Sequence, residues 1–102
     1  MRQFDVCPKP SPNSRRYAPY LVILQSHLLE AMPTVIVAPM LAGEGRTPYK
    51  PVSAVVRFQD QEFIVSAAEM TAIDPQNLNA IGTLLDFEFE IRRAIDGVFT
   101  GF

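Results

Sequence analysis

Phe4 and Val6 alternate with Gln3 and Asp5, so residues 3–7 read as a half-buried first strand. Residues 20–25 and 34–38 are runs of apolar and β-branched side chains too short for helices, which predicts adjacent central strands flanking a polar bend. Residues 52–58 and 62–66 give two more strand-like runs, separated by Gln59, Asp60 and Gln61. That spacing suits a hairpin and makes most of the sheet antiparallel. Residues 67–72 are ambiguous, with Met70 and Thr71 compatible with a short strand. Asp74 before Pro75 then forces a turn, because a residue preceding proline avoids the α region.

The pattern changes period near the C-terminus. Leu84, Phe87, Ile91, Ala94, Ile95 and Val98 recur at spacings of three and four, and charged residues take the remaining positions. This predicts one amphipathic helix packed on the sheet. Thr83 with Asp86 resembles a capping box, acids precede arginines as the helix dipole favours, and Glu88 with Arg92 forms an i,i+4 pair. Gly97 weakens the final turn by about 1 kcal/mol relative to alanine, so the chain's end is expected to leave the helix, with Thr100 to Phe102 past it. Ile95 and Val98 are expected in the core. Pro8, Pro10 and Pro12 mark residues 8–14 as one loop, and Gly43, Gly45 and Pro48 mark residues 43–48 as another.

Composition narrows the function classes. The chain has 102 residues, a length that suits a single domain spanning 1–102. It is 48% hydrophobic and 20% charged, a balance that supports a folded core. Its net charge of −2 gives no positive field, and the pairs Arg15-Arg16 and Arg92-Arg93 are too few to track a phosphate backbone. Direct binding to nucleic acid is not expected. One cysteine, Cys7, and one histidine, His27, exclude an intrachain disulfide and a Cys/His zinc cage. No metal or other cofactor is expected, and a reducing cytoplasm fits. The early prolines leave no room for a secretory h-region, and Gln25, Ser26, His27, Glu30, Pro33 and Pro39 interrupt the greasy stretch 20–42, so no membrane span is expected.

Catalytic signals are weak. Ser26 and His27 are chain neighbours whose side chains point to opposite faces in extended backbone, which disfavours a nucleophile–base dyad. The carboxylates show no spacing that singles out an acid/base pair, and Gly43-x-Gly45 continues as Arg46-Thr47, matching neither a dinucleotide fingerprint nor a phosphate loop. The expectation is a protein without catalytic residues.

Residues spread along the chain nevertheless point to one family. Gln3-Phe4-x-Val6, Tyr20, Gln25-Ser26-x-Leu28-Leu29 and the run Val35-Ile36-Val37-Ala38-Pro39-Met40 resemble the N-terminal half of the CcdB toxin family. Ile91-Arg92-Arg93-Ala94-Ile95-Asp96 and Phe99-Thr100-Gly101-Phe102 resemble its C-terminal helix and tail. The resemblance implies a mainly β fold with one C-terminal helix: an SH3-like barrel of mostly antiparallel strands, shared with ribonuclease toxins of the MazF/PemK type and assembled as a homodimer. It further implies binding to the A subunit of DNA gyrase, trapping of gyrase on cleaved DNA, and neutralisation by a small CcdA-like antitoxin. Carried onto matching positions, the gyrase contacts are Gln3, Phe4, Ser26, Asp96, Phe99, Thr100, Gly101 and Phe102.

The best-known member of the family ends in Trp-Gly-Ile, whereas this chain ends in Thr100-Gly101-Phe102. Phe99 and Phe102 would replace the tryptophan as apolar anchors, and Gly101 would permit close approach or a positive φ. Two alternatives stand beside this reading. One is an endoribonuclease toxin on the same barrel, drawing on Arg15, Arg16, Arg57 and Glu62 for phosphate contact and general base. The other is a degenerate toxin that binds only its antitoxin.

Overall fold

The apolar alternation of the chain resolves into the two faces of one curled antiparallel sheet. A computed structural model describes residues 2–10, 17–29 and 31–101. Its strands are β1 (Asp5–Pro8), β2 (Tyr20–Ile23), β3 (Val35–Ala42), β4 (Ser53–Phe58), β5 (Gln61–Ser66), β6 (Thr71–Ile73) and β7 (Gly82–Thr83), and helix α1 spans Glu88–Thr100. The strand order is β4-β5-β3-β2-β1-β7, with β6 pairing β3 beside β5, and every pairing is antiparallel.

Register decides which residues become core. Val6 lies opposite Val22, Val22 opposite Ala38, Met40 opposite Val65, and Val56 opposite Phe63. All seven point to one face, where Phe4, Leu84, Ile91 and Ala94 complete the main core beneath α1. The alternate residues Cys7, Leu21, Ile23 and Val37 face the other way and are covered by Leu78. The ends of the strand path approach one another: a Cβ on Gly82 in β7 would lie 2.5 Å from Cε1 of Phe58 in β4. This approach curls the sheet into a half-barrel, and Tyr20 packs its edge on Phe58 and Phe63 inside it, at centroid distances of 5.4 and 5.5 Å.

β3 is the hub, and it extends four residues further than the expected strand. On one edge its middle, residues 37–40, pairs β2; on the other its first three residues pair β6 and its last three pair β5. Pro39, which has no N–H to donate, sits between these two stretches, where the ladder on that edge is interrupted. The hairpin forms as expected but turns in two residues. Gln59 and Asp60 both have positive φ, 51° and 63°, and Gln61 already pairs with Phe58.

The first strand starts later than its alternation suggests. Arg2 N–H donates to Asp5 Oδ2 at 2.8 Å and Asp5 N–H to Arg2 O at 3.1 Å, closing a turn with Phe4 at φ 70°. Residues 67–72 split into a 3-10 turn (Ala67–Glu69) and β6, and Asp74 caps the next bend by accepting from Gln76 N–H at 2.8 Å.

Three expectations for the helix need correction. The capping box does not form: Thr83 Oγ1 accepts from Leu85 N–H at 3.1 Å, and a 3-10 turn (Leu85–Phe87) precedes α1. The cause is tertiary, since Leu84 N–H donates to Phe4 O at 2.8 Å and keeps the chain attached to the sheet through residue 84. The last turn carries no basic residue, because Arg92 and Arg93 lie mid-helix. Nor does Thr100 lie past the helix, despite Gly97 in the turn before it. That glycine is buried with Ile91 and Ala94 on the inward face, so packing offsets its poor propensity, and α1 continues to Thr100. Gly101, at φ 79°, ends it by donating its N–H to Gly97 O at 2.9 Å.

Candidate functional site

The turn at residues 2–5 places Gln3 between β2 and α1. Its Nε2 donates to Leu24 O at 2.9 Å, and its Oε1 accepts from Arg92 Nη2 at 3.3 Å. Arg92 also pairs with Glu88 Oε2 at 2.8 Å and holds its guanidinium 5.3 Å from the centre of the Phe4 ring. On the other side of the turn, Arg2 Nη2 contacts His27 Nε2 at 3.1 Å. For Nε2 to accept, the ring hydrogen must sit on Nδ1, a buried atom with no hydrogen-bond partner. One continuous strip therefore runs from the bend at residues 26–29, across the N-terminal turn, to α1.

The sequence-derived candidates fall along this strip in different roles. Gln3 is partly buried with both amide ends engaged, so it braces the strip. Phe4 is only 1% exposed and belongs to the core, which leaves it supporting the surface from beneath. Ser26 shapes the bend, its Oγ accepting from Leu28 N–H at 3.2 Å. Asp96 is exposed one helical turn beyond Arg92, and Phe99, 74% exposed, follows on the same side. Thr100 is the last helical residue, its hydroxyl donating to Asp96 O at 2.6 Å, and Gly101 is the helix cap. Phe102 lies outside the described residues.

A shallow groove of about 870 Å³ runs along the outer face of α1, lined by Leu85, Phe89, Arg92, Asp96 and Thr100 among others. Sequence reasoning missed Phe89, which is 83% exposed, and Arg92. The signal was present, because Phe89 is an aromatic residue set among the polar positions of an amphipathic helix. Leu28, also 83% exposed, and the exposed Leu29 and Met32 were missed as well. Here the signal was a pair of leucines lying past the end of a strand, where burial is not available.

Two of the four residues of the ribonuclease alternative lie among the described residues. Arg57 and Glu62 face each other across the β4–β5 hairpin, both exposed, and Arg57 Nη2 donates to Asp60 O at 3.2 Å. The hollow beside Glu62 also holds Glu44, a charge unfavourable to phosphate. Arg15 and Arg16 lie outside the described residues. A separate polar cluster lies nearer β6: Tyr17 donates to Glu69 Oε1 at 3.0 Å, which pushes its phenol pKa up, and Arg46 sits 5.0 Å over its ring. Burial pushes the Cys7 thiol up too, helped by the charge of Asp5. Among the described residues no group of three His, Cys, Asp or Glu side chains is placed to hold a metal ion, and no helix is long and apolar enough to cross a membrane.

In fold the chain is similar to the solved Mycobacterium tuberculosis toxin MazF-mt6, with a TM-score of 0.70 and 21% identity over 96% of each chain. A second solved structure, described as an Mtb toxin, gives a TM-score of 0.61 and 19% identity, covering 81% of this chain and 91% of that one. At such identities the likeness speaks for the shared barrel with its C-terminal helix. No curated protein matches the sequence. The model of the family described as CcdB protein matches residues 3–101, nearly the whole chain, so this protein belongs to the CcdB family.

Proposed function

We propose that this protein is the toxin of a toxin–antitoxin pair, that it acts as a homodimer on the A subunit of DNA gyrase, and that a cognate CcdA-like antitoxin neutralises it. The observation that carries this reading is the bridge from Gln3 to Arg92. It brings the first and last segments of the chain, both among those that resemble the family, onto one face with exposed apolar anchors. Phe99, Phe89 and Leu28 supply large apolar contact area around a half-exposed arginine, and phenylalanine and arginine are enriched at protein interfaces.

Charge supports a protein partner that handles DNA. The segment entering and forming α1 carries Asp86, Glu88, Glu90 and Asp96 against Arg92 and Arg93, an acidic excess. Such a surface suits the basic docking site of a DNA-binding enzyme and repels DNA itself. No chemistry is required of the toxin: a ligand that binds the cleaved-DNA state of gyrase more tightly than the resealed state holds the population there.

The test is a plasmid supercoiling assay with purified gyrase, ATP and this protein. Supercoiling should stop and linear DNA should accumulate after protein removal, while single-stranded RNA incubated with the protein stays intact. Normal supercoiling in the presence of a folded, dimeric toxin overturns the proposal. Site-specific RNA cleavage would replace it with the ribonuclease reading.

A further inference from the structure

We infer that the hollow where residues 46–52 overhang the outer face of β4 and β5 is a binding site for one carboxylate group on a short aliphatic stem, held by Ser53, Ser66 and Arg46. It shares no residue with the strip proposed for gyrase. The inward positions of these strands, Ala54, Val56, Phe63 and Val65, fill the main core, so Ser53, Ile64 and Ser66 face outward. Ser53 lies directly opposite Ser66. Both are covered, at 7% and 8% exposure, yet neither hydroxyl bonds to another described residue. Burying a hydroxyl without a partner costs stability, and alanine would fill either position without that cost. The two hydroxyls open side by side into a hollow of about 340 Å³, a pair of donors that an acceptor from outside can satisfy.

The surroundings select the acceptor. Arg46 is exposed at the mouth, its guanidinium 5.0 Å over the Tyr17 ring and in no ion pair among the described residues. The lining includes no carboxylate, although the chain as a whole is acidic. One guanidinium balances a monoanion, and its planar fork matches the two oxygens of a carboxylate, which accepts from hydroxyls on its remaining lone pairs. Leu41, Val52 and Ile64 give the same hollow an apolar side that suits a hydrocarbon stem. The overhanging chain is also fastened in place. Arg93 of α1 donates to Lys50 O at 2.8 Å and to Ser53 O at 2.9 Å, and Val52 N–H donates to Tyr49 O at 3.2 Å. Gly43 N–H ties the other arm to Glu62 O at 3.0 Å. Donors already in place lose little entropy on binding.

Sodium butyrate titrated against the isotope-labelled protein at constant ionic strength, followed by amide NMR, tests this, with butyramide as the uncharged control. Butyrate should shift the amides of residues 46–49, 53 and 66 saturably, with a dissociation constant on the order of 1 mM, and butyramide should not. Arg46→Gln, a change to an exposed side chain, should weaken binding about tenfold. The double variant Ser53→Ala with Ser66→Ala should lose binding while its thermal midpoint stays level or rises, since it sheds two unpaired buried hydroxyls. Acetyl-glutamyl-amide, with its side-chain carboxylate free, presents the same group on a peptide. Tighter binding than butyrate makes the occupant an acidic side chain of a partner chain, and weaker binding makes it a free acid. Unshifted amides, equal shifts with butyramide, or undiminished binding by either variant overturns the site.

Discussion

Arg92 in α1 donates to the side-chain oxygen of Gln3 at 3.3 Å, joining residues 89 positions apart in the chain. The same guanidinium covers the Phe4 ring and pairs with Glu88, so one half-exposed side chain fastens the N-terminal turn to the helix. Arg92→Ala should lose the Gln3 bond and the cation–π contact together. Solvent screens both, so the cost is about 1 kcal/mol or less, a fall of a few degrees in thermal midpoint. Amide exchange at residues 3–5 should quicken more than in the sheet, which hydrogen-exchange mass spectrometry or NMR would read. Unchanged exchange there would remove the bridge from the account.

The hairpin turn carries strain that substitution can relieve. Gln59 and Asp60 both occupy left-handed backbone, a region that asparagine and glycine adopt more easily. Gln59→Asn with Asp60→Gly should raise stability by about 0.5–1 kcal/mol, seen as a higher midpoint in urea or heat. A lower midpoint would show that these side chains contribute more than their backbone costs.

Gly82 tests how nearly the half-barrel closes. Adding a methyl there would place carbon 2.5 Å from Phe58 Cε1, a ring that is buried and packed against Tyr20. Gly82→Ala should therefore destabilise by about 1–3 kcal/mol, the usual cost of overpacking a core. Pairing it with Phe58→Leu should restore part of the loss. If Gly82→Ala unfolds like the wild type, the two ends of the sheet are further apart than described.

Cys7 gives a pH signature. Its thiol pKa is raised by burial first and by Asp5 second, so folding favours the protonated form. That contribution is complete below the unfolded thiol's pKa and is lost as pH rises through the higher folded value. Stability should thus decline with alkalinity above the ordinary thiol range, and the decline should be shallower in Cys7→Ala. Thermal midpoints measured from neutral to alkaline pH compare the two. Iodoacetamide should label Cys7 slowly in the folded protein and quickly in urea.

Strands β2, β3, β4 and β5 were legible in the sequence because each carries its own alternation or apolar run. The helix was legible for the same reason, at period three to four. What local pattern could not show were effects of distant contacts. Leu84 is held to Phe4 and delays the helix, and Gly97 is buried and lets it continue. The candidate site divides the same way. Asp96 stands exposed as expected from its place on the helix, and Phe99, read as part of the tail, proves to be an exposed residue of α1, whereas Phe4 is drawn into the core by a turn that Asp5 closes. Leu28 and Leu29 passed as ordinary apolar residues until the bend left them without cover.

The tail itself now reads differently. Thr100 is part of α1 and Gly101 is its cap, so deleting residues 100–102 would disturb the helix as well as the surface. Phe99→Ala is the cleaner probe, since the ring is 74% exposed and its removal leaves the core intact. The decisive measurement is the dissociation constant of this variant for the gyrase A subunit, compared with the wild type at equal thermal stability. Weakening of tenfold or more, about 1.4 kcal/mol, is the result expected of an anchor. Binding within twofold of the wild type would contradict the claim that this helix face is where the toxin meets gyrase.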